Sequence, residues 1–160
     1  MKNQAKVILL IIIMILGSFI LAGVAAGGIK LVKGQTLYLP IATSYISEDF
    51  AFPVHATIII HNTDPDHAIS IVKMDLYDSS GKLVRKYLQQ PLTLNPSAGA
   101  RWRIKSDLSG VEGEVAHFVI QWQADAKVVE PLVRGFLLGA RGTRGYSFDT
   151  IPRIIRETAD

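Results

Sequence analysis

The fold follows from residues 72–84, which read Val-Lys-Met-Asp-Leu-Tyr-Asp-Ser-Ser-Gly-Lys-Leu-Val. Apolar and polar side chains alternate along the first half, so that Val72, Met74 and Leu76 share one face of an extended chain. Period two is the spacing of side chains in a half-buried β-strand. Residues 78–81 then supply the side-chain acceptors and the flexible backbone of a tight turn. The stretch therefore predicts a strand, a turn and a second strand.

The same alternation recurs on both sides of this hairpin. Phe118, Ile120 and Trp122 alternate with polar residues, and Trp102 and Ile104 lie between basic ones. Candidate strands cover Gln35–Ile41, Val54–Asn62, Ile69–Asp78, Leu83–Leu88, Ala100–Lys105, Ala116–Ala124, Val133–Gly139 and Gly145–Phe148. Seven or eight short strands separated by turn residues predict an all-β chain, with an immunoglobulin-like or fibronectin-type antiparallel β-sandwich. Because the chain has no cysteine, Trp122 or Trp102 is expected to fill its centre by packing alone.

A long uncharged segment precedes the sandwich. Residues 7–29 carry no charge, and as a helix they would span about 34 Å, slightly more than a hydrocarbon core of about 30 Å. We therefore expect one N-terminal transmembrane helix in a single-pass protein, with the N-terminus cytoplasmic, the domain extracytoplasmic and the lipid bilayer as a partner. The alternative is a signal peptide cleaved near Ala26, because small residues end the apolar run there.

The basic residues of the chain are partly explained by this segment. Lys2, Lys6, Lys30 and Lys33 flank it, and the remaining 13 Lys and Arg nearly balance 14 Asp and Glu. The charge therefore gives no support for nucleic-acid binding. The expected organisation is a flank at 1–6, an anchor or signal peptide at 7–29, a linker at 30–34, the sandwich at 35–150 and a tail or short helix at 151–160.

The residues that could hold a metal are His61, Asp64, Asp66 and His67. Two imidazoles and two carboxylates are suitable zinc ligands. The intervening Asn-Thr-Asp-Pro order is, however, what a tight turn requires, and the proline limits how the carboxylates converge. No thiolate exists, and no nucleophile lies beside a base in a recognisable motif. We therefore assign no metal, cofactor or catalytic residue and expect a protein that is not an enzyme.

Arg141 and Arg144 lie in a glycine-rich stretch that runs from Gly139 to Gly145. The flanking residues favour strands, so this stretch predicts a hairpin or bulge with solvated arginines. The alternative is an anion site, in which the two guanidiniums and backbone N–H groups bind a phosphate, a sulfate or an acidic glycan.

Aromatic residues are concentrated in the connection that follows the first predicted strand. Tyr45, Phe50 and Phe52 lie in residues 42–53, which are longer than most hairpin loops. A crossover packed on the sandwich is one interpretation. A partner-binding edge is the other, because aromatic side chains anchor many interfaces.

Several short blocks, in the same order along the chain, resemble the bacterial family catalogued as domain of unknown function 3124. The blocks are Gly34–Pro40, His61–Pro65, Tyr77–Arg85, Tyr87–Leu94, Phe118–Trp122, Leu138-Gly139 and Gly145–Phe148. The resemblance covers about residues 34–150 and implies a secreted or membrane-attached small domain with no assigned activity. Arg134-Gly135 and the arginines of the following loop depart from the family pattern.

The sequence thus predicts a non-enzymatic protein-interaction or accessory module at the cell envelope, with a protein partner there. The alternative is a small-ligand or anion receptor that uses the Gly139–Gly145 loop.

Overall fold

The computed structural model describes residues 29–42, 44–46, 51–104 and 115–158, and this part of the chain contains strands and no helix. The eleven strands are β1 (Leu31–Ala42), β2 (Ser44–Ile46), β3 (Ala51–His61), β4 (Ile69–Tyr77), β5 (Leu83–Lys86), β6 (Leu92–Leu94), β7 (Gly99–Ile104), β8 (Val115–Val129), β9 (Leu132–Arg141), β10 (Arg144–Thr150) and β11 (Arg153–Glu157). All eight predicted strands have a counterpart among them.

The strands form two antiparallel sheets. The larger has six strands in the order β11-β1-β8-β4-β5, with β6 also paired to β4. The smaller has five strands in the order β10-β9-β3-β2, with β7 also paired to β3. Each sheet has a central strand with a partner on both sides. In the larger sheet β8 pairs with β1 and β4, and in the smaller sheet β3 pairs with β7 and β9.

The core is built from the apolar side chains that alternate along these strands. Phe118 and Ile120 of β8 are fully buried, and Ile58 of β3 is fully buried as well. Trp122 is 1% exposed, whereas Trp102 is half-buried and packs against the edge of the core. Trp122 or Trp102 was predicted to fill the centre of the core, and Trp122 is the one that does so.

A β-bulge corrects the predicted faces of β4. The pairing with β8 shifts between Ile71 and Lys73, so that Val72 is the extra residue. Ile71 points into the core before the bulge, and Met74 and Leu76 point into it afterwards. Val72 is only half-buried. Simple alternation had grouped Val72 with Met74 and Leu76, and that grouping is wrong because the bulge reverses the parity.

The predicted fold class needs correction in its strand number. An immunoglobulin constant-type sandwich has about seven strands, and seven or eight were predicted here, whereas the sheets contain six and five. The additional strands are the short β2 and β6 and the C-terminal β11. Residues Arg153–Glu157 were expected in a tail or short helix, but they pair with β1, which gives their backbone hydrogen-bonding partners. Strand β1 likewise begins at Leu31, inside the predicted linker.

The predicted transmembrane helix at the N-terminus is not among the elements found. The described part of the chain begins at residue 29, so the predicted span at 7–29 lies outside it except for Ile29, which is not helical. Within the described residues, no helix has the length and apolar character needed to cross a bilayer.

We expect Trp122→Ala to lower the free energy of unfolding by about 3–5 kcal/mol, because it leaves a large cavity between the sheets. Trp102→Ala is the matched control, and its cost should be clearly smaller because that side chain is already partly exposed. Urea denaturation of both variants measures the difference. Equal losses would show that Trp122 is not the centre of the core.

Candidate interaction face

The smaller sheet owes its regular outer surface to the central position of β3. Ile59 of β3 lies opposite Arg101 of β7 and opposite Arg134 of β9. In the next row, Thr57 lies opposite Arg103 and Phe136. Side chains that are directly opposite in a sheet point to the same face. Because Ile58 and Ile60 point into the core, these rows point outward.

We call this outer surface the arginine face and define it by six residues: Ile59, Arg101, Arg103, Arg134, Phe136 and Leu138. Two of its apolar members are well exposed, since Phe136 is 38% and Leu138 is 50% exposed. Leu132, on the same side of β9, is also exposed. Large apolar side chains grouped in this way on a surface often mark a binding site.

The charges of the arginine face have one sign. Strands β3, β7 and β9 contain no Asp or Glu. The nearest acidic residue of the sheet is Asp149 of β10, which lies opposite Phe136. Within the described residues, Arg101, Arg103 and Arg134 form no ion pair. The face therefore combines exposed apolar area with positive charge that the described part of the chain does not neutralise.

A shallow depression of about 320 Å³ lies at one end of this surface. It is lined by Pro53, His55, Leu138, Gly139 and Ala140. His55 lies directly opposite Leu138 in the pairing of β3 with β9. The depression thus continues the arginine face and has room for part of a partner side chain.

The outer surface of the larger sheet has a different character, because its polar and aromatic groups contact one another. The ring of His117 stacks between Tyr38 at 4.4 Å and Tyr77 at 5.4 Å, measured between ring centroids. Burial in this stack lowers the pKa of His117. Lys73 forms an ion pair of 3.5 Å with Asp75 and lies over the ring of Tyr77. These partners are already satisfied within the domain.

The arginine face was not predicted from the sequence, although β9 contains a signal for it. Val133 and Leu137 point into the core, while Leu132, Phe136 and Leu138 point outward. A strand that is apolar on both faces is typical of a sheet that is covered on both faces. In a sandwich of two sheets the second apolar face has no neighbour, so this pattern could have indicated an interaction surface.

The two arginines of the predicted anion site lie in the β9–β10 hairpin, as the sequence predicted. Arg141 and Arg144 are directly opposite and are both exposed. Gly142 has a φ of 59°, which a type II′ turn requires at its first turn position. The hairpin residues line a depression of about 460 Å³ with Tyr146. The hairpin lies outside the arginine face, beyond the end of the pairing between β3 and β9.

Phe52, one of the three residues of the predicted aromatic edge, points into the core. Phe52 is 4% exposed, and its ring stacks on that of Tyr146 at a centroid distance of 4.8 Å. It also packs on Gly139, where a Cβ would come within 2.4 Å of the Phe52 ring. Tyr45 belongs to β2, which pairs with β3, and Phe50 lies outside the described residues. Phe52 is therefore a core residue.

The cluster at His61–His67 forms a hydrogen-bonded turn. The side-chain amide of Asn62 is buried and donates to the carbonyl oxygens of His67, Leu94 and Asn95 at 2.8–3.1 Å. These bonds connect the β3–β4 loop to the end of β6. His61 points to the other side, where its ring packs on Gly99. The described residues include no group of three or more potential metal-ligating side chains.

Asp64 uses its carboxylate to accept backbone hydrogen bonds within this turn and from β8. Its Oδ1 accepts from the backbone N–H groups of Asp66 and His67 at 2.9 and 2.8 Å. Its Oδ2 accepts from the N–H of Val129 at 3.0 Å. The bond from Val129 and the other backbone bonds hold the pKa of Asp64 well below its usual range. Asp64 therefore acts as an ionised acceptor that closes its own loop and connects it to the end of β8.

We expect the ionised form of Asp64 to stabilise the fold. Its pKa is lower in the folded than in the unfolded chain, so the stabilisation is complete above the unfolded value of about 4 and is lost as the pH falls towards the folded value. Asp64→Asn should lower the melting temperature at pH 7, and this difference should shrink steadily below pH 4. Asp66→Asn, at an exposed neighbour, is the control. A pH-independent difference in thermal melts would contradict this role.

The chain is similar in structure to the crystal structure of Thermotoga maritima 1070, with 12% sequence identity and a TM-score of 0.49 over 78% of this chain and 97% of that chain. No curated protein sequence matches the chain. A family model matches residues 34–155, from a point within β1 to a point within β11, which confirms the resemblance found in the short sequence blocks. The chain belongs to the family described as Protein of unknown function (DUF3124).

Proposed function

We propose that the domain is a non-enzymatic interaction module of the cell envelope and that the arginine face is its main contact surface. The observation that carries this proposal is the exposure of Phe136 and Leu138, side by side on the outer surface of β9. Because each is already at least half-buried, burying the rest of it against a partner would contribute about 0.6–1.5 kcal/mol. No element within the described residues covers them.

The composition of the face also supports a protein contact. The centres of protein interfaces are enriched in aromatic residues and Arg and depleted in Lys and Glu. The arginine face contains Phe136 and three arginines and no Lys or Glu. Lysines occur at other places, such as Lys73 and Lys86 of the larger sheet and Lys30 and Lys33 at the start of the domain.

The envelope location rests on the uncharged run at residues 7–29. Such a run directs a chain to a membrane, either as a lasting attachment or as a signal that is removed near Ala26. In both cases the domain works outside the cytosol. A module held at or near a membrane meets its partners at high local concentration, so a surface of moderate size is sufficient.

We expect a photo-reactive phenylalanine analogue at position 136 of the full chain, expressed in its native cells, to give a discrete cross-linked product. The same analogue at position 83 is the control, because Leu83 is equally exposed but lies on the other sheet. The product should disappear on Leu138→Ser, while the melting temperature changes little because the residue is exposed. Absence of a product at 136, or the same product at both positions, would contradict the proposal.

A second candidate function is anion binding at the β9–β10 hairpin, and one observation favours it. Arg141 and Arg144 are directly opposite across the two-residue turn. Like charges in this position destabilise a strand pair, and an anion between them would offset the repulsion. The depression at the hairpin, with the Tyr146 side chain in its lining, has room for a phosphate or sulfate group.

This second function predicts that inorganic phosphate raises the melting temperature of the chain relative to chloride at equal ionic strength. At a concentration of ten times the Kd the gain in stability should be about 1.4 kcal/mol. Arg141→Ala combined with Arg144→Ala should abolish the gain, and Arg153→Ala, which removes another exposed arginine, should leave it unchanged. The same phosphate effect in all three proteins would rule out a hairpin site.

A further inference from the structure

We propose that the partner of the arginine face is an acidic polypeptide segment in extended conformation, which carries carboxylates together with apolar side chains. This inference rests on the proposed function and specifies its partner. Three guanidiniums lie on the same outer surface as the exposed apolar residues, on the side away from Asp149, and none of them forms an ion pair with a described residue. A complementary surface therefore has to supply negative charge opposite β7 and the start of β9, beside an apolar group opposite Phe136 and Leu138.

The spacing of the arginines suits an extended segment. Arg101 and Arg103 point outward from one strand, two residues apart, which places their Cα atoms about 6.8 Å from each other. Alternate side chains of an extended partner have the same spacing. Arg134 lies on the other side of Ile59, about 9.5 Å from Arg101 across two strand spacings. Carboxylates at alternate partner positions can thus reach Arg101 and Arg103, and a further one can reach Arg134.

The apolar part of the face limits the chemistry of the partner. Phe136 lies one row from Arg101, Ile59 and Arg134, and Leu138 lies one row further along β9. A nucleic acid or an acidic glycan would neutralise the arginines but would place polar groups against these side chains. An acidic polypeptide can supply an apolar side chain there, and the depression beside Leu138 and His55 has room for one.

The type of base argues against a lipid surface as the partner. Anionic headgroups attract Lys and Arg alike. Strands β3, β7 and β9 together, however, contain arginines and no lysine. A guanidinium binds a carboxylate through two parallel hydrogen bonds, and an ammonium does not. Replacing Arg by Lys therefore tests for a carboxylate partner while the net charge of the face stays constant.

The experiment measures binding of the full chain, in a neutral detergent, to a random copolymer of glutamate and tyrosine. Polyglutamate, heparin and phosphatidylglycerol vesicles are the comparison probes. We expect the copolymer to bind more tightly than the other three. Arg101→Lys combined with Arg134→Lys should weaken copolymer binding about tenfold at unchanged charge. The control, Arg141→Lys combined with Arg144→Lys at the hairpin, should leave the affinity unchanged.

Several outcomes would overturn the inference. Tighter binding of heparin or of the vesicles would assign the face to a different polyanion or to a membrane. An equal loss in the hairpin control would place the contact elsewhere. A concentration-dependent dimer that the face variants abolish would assign the face to a second copy of this chain. If position 136 cross-links to a protein but the copolymer does not bind, the proposal of an acidic partner is wrong. The proposal that the domain is an interaction module is then still supported.

Discussion

The pairing of β3 on both of its sides is the constraint on which the outer surface of this domain depends. Its hydrogen bonds to β7 and β9 fix two registers at once, so that each outward residue of β3 has a neighbour on either side. A slip of one residue in either register would turn Arg101 or Arg134 into the core. Such a slip would bury an unpaired charge among Ile58 and Ile60, at a cost of several kcal/mol. The same backbone bonds that build the sheet therefore also assemble the surface.

Much of this fold could be predicted from the sequence, because most strands have one polar and one apolar face. The alternation around Trp122 and Ile104 gave the correct strands and the correct buried side. The bulge at Val72 could not be predicted, since an extra residue only becomes visible when the partner strand is known. Strand β11 was also missed, because both Ile154 and Ile155 remain exposed and leave no alternation to detect.

The surface was harder to predict than the core, for a related reason. Arg101 and Arg134 are more than thirty residues apart in sequence, and only their shared neighbour on β3 brings them into one row. Among the ligand-like side chains at His61–His67, the His67 Nδ1 lies 3.1 Å from the Asp64 Oδ1, while the His61 ring packs on Gly99. Asp64 accepts from three backbone N–H groups, and this use of a carboxylate takes up the lone pairs that a metal would need.

The antiparallel contact between β1 and β11 determines how the domain responds to mechanical tension. The start of β1 and the end of β11 lie side by side, joined by the bond from the Thr158 N–H to the Gly34 oxygen at 3.0 Å and by the ion pair of Lys30 with Glu157. The hydrogen bonds of this pair run perpendicular to the strands. A force that pulls these two ends apart acts on the outermost bond first and then on each next bond in turn. The β1–β11 pair therefore separates one hydrogen bond at a time under a small force, while the rest of the larger sheet keeps its shape.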